Sequence, residues 1–355
     1  MSSGKGERSG DEAVRVAVVG AGVFGRNHLR VYRELERAGF PVELAAVVDP
    51  NAGAREWAAN EYGIAVFGSI SECMQDARTK LRRVHAASVC VPTVEHAATA
   101  CALMGCGIDL LIEKPLAGSL DEADEIVRAA REHGRIVQVG HLERFNPAVH
   151  AVLPLLNQPM FFEVHRLSVF TPRSLDVDVV LDLMIHDLDI VLTLVGAPVR
   201  EVRAVGLPVL SKKVDIANVR LEFENGCVAN FTASRISTER VRKMRFFQPH
   251  QYLSLDFARQ DLLMIDVTAA AGLDLAQLAA MTGTGGHPSA GMSLRKVPVQ
   301  PGEPLRIEIE SFLNAVRERT KPEVTAEEGQ AALALALEIN AAVESHARRT
   351  GLISR

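Results

Sequence analysis

Short apolar runs alternate with longer amphipathic stretches along the first 140 residues of the chain. The runs are rich in Val, Ala and Ile, and their length suits strands that are buried on both faces. They cover residues 15–19, 43–48, 86–91, 109–112 and 136–139, and helices are predicted between them at 27–38, 52–62, 95–104 and 120–133. Strand–helix alternation of this kind predicts a doubly wound parallel sheet.

The regular alternation of strands and helices stops after about residue 141. One strongly apolar helix is predicted at 178–195, and strands follow it without helices between them. Asn225 and Gly226 mark a hairpin turn between two of these strands. The predicted strands are 160–169, 215–223, 227–234, 243–247, 252–257 and 262–267, and the helices 305–320 and 326–349 close the chain. Residues 268–291, rich in Ala, Gly and Thr, are interpreted as a long loop.

These patterns predict an α/β protein with two domains. We expect a polar tail over residues 1–13, a doubly wound domain over 14–140 and an α+β domain over 141–355. The second domain should contain a large, mostly antiparallel sheet that is open on one face. A length of 355 residues also favours two hydrophobic cores over one.

Composition narrows the class of protein. The chain has 39 basic and 44 acidic residues, and its net charge of -5 provides no general attraction to nucleic acid. No apolar run approaches the roughly 18 residues that span a membrane, and the polar N-terminal tail lacks the apolar core of a signal peptide. The five cysteines show no metal-binding spacing, which is typical of reduced thiols. We therefore expect a cytoplasmic globular enzyme that binds neither nucleic acid nor membrane.

The segment Gly20-Ala-Gly22-Val-Phe-Gly25 follows the first predicted strand and opens a helix. Glycines at this spacing allow a tight turn, and the amide groups at the helix N-terminus can bind a pyrophosphate. Asp49 ends the second strand, where a carboxylate can accept both ribose hydroxyls of adenosine and would repel a 2′-phosphate. The pattern predicts a site for NAD rather than NADP. A purely structural strand-to-helix turn is the competing interpretation.

Two further segments end at the same predicted edge of the sheet. The tripeptide Glu113-Lys114-Pro115 follows one strand, and Pro92 and Thr93 follow the preceding one. Ligands bind at the carboxyl ends of strands in open parallel sheets, so these residues are candidates for a ligand crevice. From the local sequence alone, a solvated surface side chain explains Lys114 equally well.

The predicted helix 178–195 is apolar around most of its circumference but carries one polar stripe. At about 100° per residue, the stripe contains Asp178, Asp182, His186, Asp189 and Thr193. Asp187 falls on the opposite side. Asp182 and His186 are four residues apart and can touch, and an adjacent carboxylate raises the basicity of an imidazole and fixes its tautomer. The stripe could instead face solvent or form a satisfied buried network; without a Cys/His cluster, no metal site is predicted.

Together these features resemble the Gfo/Idh/MocA oxidoreductases. The segment GAGVFG, the tripeptide EKP and the sequence DLMIH (182–186) stand in the order and spacing of that family over nearly the whole chain. The resemblance implies a Rossmann domain with a tightly held nicotinamide cofactor, a sugar-like or cyclitol-like substrate, and a homodimer or homotetramer formed through the second sheet. It also implies that Lys114, Asp182 and His186 are the catalytic group and that Glu113 lies near the nicotinamide ribose. The expected cofactor-binding residues are Gly20, Gly22, Val23, Phe24, Gly25, Asp49, Pro92, Thr93, His96, Glu113 and Lys114.

A second motif, GHLERFNP (140–147), resembles the branch of the family that oxidises C3 of UDP-N-acetylhexosamines. For this branch the substrate would be a UDP-sugar such as UDP-N-acetylglucosamine, and the 3-keto product would pass to an aminotransferase. A diphosphate requires cations, and the forked guanidinium of arginine suits it. The candidate cations are Arg144, Arg166, Arg173, Arg235 and Arg240. The expected substrate-binding residues are His141, Arg144, Asn146, Arg173, Asp189 and Arg235.

The implied reaction is hydride transfer from a ring carbinol to NAD⁺, which requires a base for the alcohol proton. We expect His186, oriented by Asp182, to be that base, and Lys114 to stabilise charge on the oxygen. The reverse roles for Lys114 and His186 fit the sequence equally well. Two other functions stay open: an inositol or free-sugar dehydrogenase of the same family, and a protein that binds NAD(H) only to regulate a partner.

Overall fold

The computed structural model describes residues 13–76, 83–170, 177–268 and 293–351. The chain divides into two compact units, of which the first comprises residues up to Leu142 together with Glu303–Leu333. The second comprises Glu143–Gly302 and the residues from Ala334 onward. The second domain was expected to run without interruption from residue 141 to the end, and this is wrong, because a closing segment returns to the first unit.

A six-stranded sheet forms the first unit, in the order β3-β2-β1-β4-β5-β6. All neighbouring strands are parallel. The strands are β1 (Val14–Val19), β2 (Val42–Val48), β3 (Ala65–Phe67), β4 (Ala86–Val89), β5 (Asp109–Glu113) and β6 (Val137–Gly140). The chain order reverses between β1 and β4, and a crevice at such a point, at the carboxyl ends of the strands, is where open α/β sheets bind ligands. The predicted doubly wound sheet is confirmed.

Helices connect these strands and also close the chain. They are α1 (Val23–Arg37), α2 (Ala52–Tyr62), α3 (Ile70–Gln75), α4 (His96–Gly105) and α5 (Leu120–His133), with α8 (Pro304–Glu318) and α9 (Ala326–Thr350) near the end. The sequence pattern did not predict β3 or α3, because three and six residues are too few to show a period. The long helices were predicted to within a few residues.

The closing helix α8 belongs to the first unit because of its apolar face. Ile309, Phe312 and Leu313 are fully buried in the same hydrophobic cluster as Val16 of β1 and Leu29 of α1. The period of α8 shows that it has an apolar face, but no local pattern states which sheet that face covers. For this reason the predicted domain boundaries did not place α8 in the first unit.

The second unit contains an eight-stranded sheet in the order β14-β13-β12-β11-β7-β10-β9-β8. Its strands are β7 (Phe161–Val169), β8 (Val199–Leu207), β9 (Ile216–Phe223), β10 (Val228–Ser237), β11 (Val241–Gln248), β12 (Gln251–Asp256), β13 (Asp261–Asp266) and β14 (Ser293–Val297). Among these described strands only β7 and β10 pair in parallel. The predicted mostly antiparallel sheet is confirmed, although β8 and β14 were not predicted. The expected loop at 268–291 lies outside the described residues, apart from Thr268.

Strand β7 shows that one face of this sheet is covered and the other is open. Phe162, Val164 and Arg166 are buried, whereas Glu163 and His165 between them are partly exposed. Such alternation is typical of a sheet that packs on one side only. Within the described residues, no helix is both long enough and apolar enough to cross a membrane.

Two helical segments of the second unit contain sequence-predicted site residues. A short helix α6 (Pro147–Val152) follows a 3-10 turn at Leu142–Phe145. The predicted helix 178–195 is observed as a π turn over Val180–Met184 that leads into α7 (Ile185–Val195).

Candidate active site

The glycine loop after β1 has a backbone that larger residues could not adopt. Gly20 has a φ of +91°, and a Cβ there would lie 2.6 Å from the carbonyl oxygen of Cys90. At Gly25 a Cβ would lie 1.8 Å from the carbonyl oxygen of Gly20. Glycine is therefore required at both positions, once for its conformation and once for close packing of α1 against the loop.

The N-terminus of α1 is open toward the loop. A Cβ at Gly22 would meet no atom within 4 Å, and α1 has neither a side-chain cap nor an acidic residue in its first turn. Its first amide groups and its positive dipole end are thus available to a phosphate. Val23 and Phe24 begin the helix and are exposed.

Asp49 lies in the same loop cluster as the glycines. One carboxylate oxygen, Oδ2, accepts a hydrogen bond from the amide of Ala21 at 2.7 Å, and Oδ1 accepts one from the amide of Asn51 at 2.8 Å. The two amides fix the orientation of the carboxylate while each oxygen keeps a lone pair for a further donor. Glycines, open amides and an oriented carboxylate together fit the pyrophosphate and adenosine ribose of NAD.

His96, expected among the cofactor-binding residues, connects two loops of the first unit. Its Nδ1 lies 3.0 Å from the carbonyl oxygen of Pro115, and its Nε2 lies 3.0 Å from that of Val91. The ring is almost completely buried at the start of α4. Its side chain therefore braces the segment that follows Lys114 against the segment that contains Pro92 and Thr93.

Glu113, at the end of β5, has a partner that the sequence analysis missed. His28 of α1 places Nε2 2.8 Å from Glu113 Oε1. Cys90 lies close by, and the candidate ligand atoms of His28, Cys90 and Glu113 lie within 4.8 Å of one another. Burial, followed by the charge of Glu113, raises the pKa of the Cys90 thiol well above its ordinary value. Cys90 thus keeps its proton beside the hydrogen bond between His28 and Glu113, and the three side chains form one polar cluster.

In the second unit, Asp182 and His186 lie on the two parts of the interrupted helix. Asp182 is in the π turn and His186 is in the first turn of α7, and both are partly buried. Positions calculated at 100° per residue do not apply across a π turn, since its turns are wider than those of an α-helix. The angular positions expected for the polar stripe therefore do not hold across Val180–Met184. π turns often occur at functional sites, and no sequence signal used here predicts them.

Two buried arginines form ion pairs with Asp187 and Asp189, which follow His186 on α7. Arg166 on β7 donates to Asp187 through Nε and Nη2, both at 2.7 Å. Arg144 donates to Asp189 through Nε at 2.9 Å and Nη2 at 2.6 Å. All four side chains are almost inaccessible to solvent. Bidentate ion pairs of this kind fix the orientation of the two side chains as well as the distance between them. They therefore hold α7 in one rotation about its axis.

Glu143 extends the first of these pairs. It accepts a hydrogen bond from Arg166 at 2.8 Å and lies 3.4 Å from Arg242 on the neighbouring strand β11. Burial alone would raise the pKa of Glu143, but the Arg166 guanidinium outweighs it and the pKa lies below its ordinary value. Two carboxylates, Glu143 and Asp187, thus balance two guanidinium groups.

The other expected substrate-binding residues have varied surroundings. Asn146 caps α6 by accepting from the amide of Ala148 at 3.1 Å, and it donates to the carbonyl of Phe257 at 3.0 Å. Arg235 is buried beside Asp215 and donates to the carbonyl of Val177. His141 is fully buried at the edge of the first unit, and Arg173 lies outside the described residues.

The parallel sheet, the glycine loop and Asp49 define a Rossmann-type NAD-binding protein. Residues 14–141 match a family model described as an oxidoreductase family with an NAD-binding Rossmann fold. Residues 158–248 match the Gfo/Idh/MocA C-terminal domain. The chain belongs to the Gfo/Idh/MocA family of NAD-binding oxidoreductases.

Individual relatives agree with this assignment. UDP-N-acetylglucosamine 3-dehydrogenase of Acidithiobacillus ferrooxidans is 34% identical over 338 residues, which cover 95% of this chain and 99% of the relative. A solved structure of that enzyme covers 94% of this chain and 98% of its own, with a TM-score of 0.81 and 33% identity. The NAD⁺-dependent scyllo-inositol 2-dehydrogenase of Bacillus subtilis is 28% identical, covering 64% of this chain and 69% of the relative. A levoglucosan dehydrogenase in complex with NADH shares the fold at a TM-score of 0.80 and 16% identity, over 94% of this chain and 98% of its own.

The pairing of Arg144 with Asp189 generates a prediction that separates scaffold from substrate contact. Arg144→Met alone leaves a buried carboxylate unpaired and should lower the free energy of unfolding by about 3–5 kcal/mol. Arg144→Met combined with Asp189→Leu should recover most of that loss, because neither charge then remains buried. Urea unfolding followed by circular dichroism measures both variants.

The exposed pair Arg200–Glu222 provides the control, since Arg200→Met should change stability by less than about 1 kcal/mol. A double variant that folds normally but has a KM for the sugar substrate raised more than about tenfold, a loss of 1.4 kcal/mol, would show that Arg144 contacts the substrate.

Asp215 generates a prediction on pH. Burial opposes its ionisation, but hydrogen bonds led by those from Ser211, with Leu210 and Val209, lower its pKa to about 2. The ordinary pKa of an aspartate is about 3.9, so this carboxylate contributes stability above about pH 4 that is lost as the pH falls toward 2. Asp215→Asn should cost about 1–3 kcal/mol at pH 7, and the difference from the parent should shrink below pH 4. Urea unfolding between pH 3 and 7 tests this, with exposed Glu224→Gln as control; a difference that is constant with pH contradicts it.

Proposed function

We propose that this protein oxidises the C3 hydroxyl of a UDP-N-acetylhexosamine, with UDP-N-acetylglucosamine as the first candidate, to a 3-keto sugar nucleotide. The observation that carries the proposal is the full-length similarity to UDP-N-acetylglucosamine 3-dehydrogenase. Lys114, Asp182 and His186 stand at the matching motifs. The ketone would be consumed by an aminotransferase, since a keto group is the substrate that transamination requires.

Residues of the first unit would hold NAD. The amides at the start of α1 would bind the pyrophosphate, and Asp49 would accept the adenosine ribose hydroxyls. A carboxylate at that position opposes a 2′-phosphate, which favours NAD over NADP. Bound NAD⁺ supplies the hydride acceptor at its nicotinamide ring.

Residues of this protein would remove the alcohol proton and stabilise the charge that develops on the oxygen. We assign His186 as the base that removes the alcohol proton and Asp182 as the group that orients the imidazole and stabilises its charged form. Lys114 would donate a hydrogen bond to the oxygen on which negative charge develops. Proton removal and charge stabilisation are both needed, because an alkoxide is the better hydride donor.

A second candidate is an inositol or free-sugar dehydrogenase. It is favoured by the pairing of Arg144 with Asp189 and of Arg166 with Asp187. Two of the arginines considered for a diphosphate already neutralise carboxylates of their own unit. A substrate without a diphosphate would not need them.

The protein is also expected to assemble as a homodimer or homotetramer through the open face of the second sheet. Phe161, Phe247 and Tyr252 form an aromatic group there, with ring centroids 5.9 Å apart for Phe161 and Phe247 and 5.0 Å apart for Phe247 and Tyr252. Phe247 is 41% exposed, which favours a covered surface in an assembly.

The test of substrate class is direct. Purified protein, NAD⁺ and UDP-N-acetylglucosamine are incubated with an aminotransferase and an amino donor that remove the ketone. Reduced nicotinamide absorbance and the mass of the sugar nucleotide should both change. Free N-acetylglucosamine, glucose and inositol are parallel substrates, and turnover of these alone would replace the proposal by the second candidate. NADH binding without turnover of any substrate would favour a regulatory NAD(H)-binding protein.

The assignment of the base generates a further prediction. His186→Ala should lower kcat at least about 100-fold while the NADH dissociation constant stays within about threefold of the parent value, because the imidazole is assigned to proton transfer and not to cofactor binding. Thr193→Ala, an exposed position on the same helix, is the control and should retain activity. A His186→Ala variant with near-normal kcat, alongside an inactive Lys114→Ala variant, would exchange the two roles.

A further inference from the structure

Four polar side chains form a continuous hydrogen-bonded chain inside the first unit. Tyr32 Oη lies 2.8 Å from Ser88 Oγ, and Ser88 Oγ lies 3.0 Å from His28 Nδ1. His28 Nε2 lies 2.8 Å from Glu113 Oε1. Tyr32, Ser88 and His28 are fully buried, whereas Glu113 at the end of β5 is partly exposed. This series of hydrogen-bonded side chains therefore runs from the buried core to the carboxyl edge of the sheet, where open α/β sheets bind ligands.

The direction of each hydrogen bond follows from chemistry. A carboxylate can only accept, so His28 Nε2 carries the proton that faces Glu113. Burial raises the pKa of Tyr32 above its ordinary value, so its phenol keeps its proton and donates to Ser88. The Ser88 hydroxyl is then free to donate to Nδ1. A neutral imidazole with its proton on Nε2 satisfies every group in the chain.

Two further neighbours restrict Glu113. Gly140 of β6 lies against it, since a Cβ there would be 3.2 Å from Glu113 Oε2. Glu308 of α8 is fully buried, and neither of its carboxyl oxygens has a hydrogen-bond partner among the described residues. Burial, then the charge of Glu113, raises the pKa of Glu308 well above its ordinary value. The protonated form of Glu308 is therefore favoured.

We propose that His28 is a positioning residue for the nicotinamide cofactor, acting through Glu113 in a tautomer that Ser88 and Tyr32 determine. Its Nε2–H holds one carboxylate oxygen, which leaves Oε2 oriented to accept from a hydroxyl of the nicotinamide ribose. This inference rests on the proposed NAD site and on the expectation from the family resemblance that Glu113 lies near the nicotinamide ribose. It does not depend on which sugar is oxidised.

The test measures NADH affinity with no substrate present, by isothermal titration calorimetry and by fluorescence titration. His28→Leu should raise the NADH dissociation constant about tenfold, the scale of one lost charge-assisted hydrogen bond. His28→Gln should stay within about threefold of the parent, because its amide can donate to Glu113 and accept from Ser88. His133→Leu on the exposed end of α5 is the matched control and should have no effect.

A double-variant cycle tests whether His28 acts through Glu113. Glu113→Ala should weaken NADH binding, and adding His28→Leu to it should cause little further loss, because either change removes the hydrogen bond between the two side chains. Thermal unfolding of every variant is measured in parallel. A His28→Leu protein that loses thermal stability but binds NADH normally would overturn the proposal, as would additive losses in the cycle.

The tautomer has its own spectroscopic readout. Selective ¹⁵N-histidine labelling should show one imidazole, absent from the His28→Gln protein, with a protonated Nε2 and an unprotonated Nδ1. Ser88→Ala should shift that resonance and weaken NADH binding to an intermediate degree. A protonated Nδ1 at this residue contradicts the inferred hydrogen-bond direction and overturns the proposal. None of these readouts changes if the sugar substrate is misassigned.

Discussion

Buried guanidinium groups hold the helix on which His186 lies, and the arrangement of the second unit depends on them. Arg166 and Arg144 each bind one carboxylate of α7 through two nitrogens, at Asp187 and Asp189 in the turn that follows His186. Burying an ion costs several kcal/mol unless its partner and geometry are complete. Rotation or sliding of α7 would break both ion pairs at once and would separate the carboxylates of Asp187 and Asp189 from their arginines. The pairs therefore select one position for the helix more than they add to stability.

The first unit uses the hydrogen bonds of two buried histidines for the same purpose. His96 joins the two loops at the carboxyl ends of β4 and β5, and His28 holds Glu113 through a single defined proton. Both imidazoles are buried, and both act on residues at the edge where ligands bind. In each unit, the side chains expected to contact ligands are oriented by residues that lie behind them. An oriented carboxylate or amine loses less entropy when its ligand arrives.

These supporting contacts also change the interpretation of the arginines. The guanidinium group of arginine can donate two parallel hydrogen bonds to a diphosphate, and it can donate them equally well to the carboxylate of an aspartate. In this protein Arg144 and Arg166 form buried ion pairs with aspartates of α7. Arg235 lies beside Asp215 and donates to a backbone carbonyl. Selectivity for a sugar nucleotide would therefore depend on more than the number of arginines near the motifs.

The sequence by itself determined the two sheets, the long helices, the glycine loop with Asp49, and the family. These features have short-range signatures: a period of 2 or 3.6, a loop of fixed length, and motifs in a fixed order. The tertiary structure alone decided that α8 returns to the first unit, that a π turn interrupts the helix at Asp182, and that His28 meets Glu113 across 85 residues. It also decided that Arg144 pairs with Asp189. Such pairings depend on which surfaces are buried against each other, and that is set by the whole packed chain rather than by local pattern.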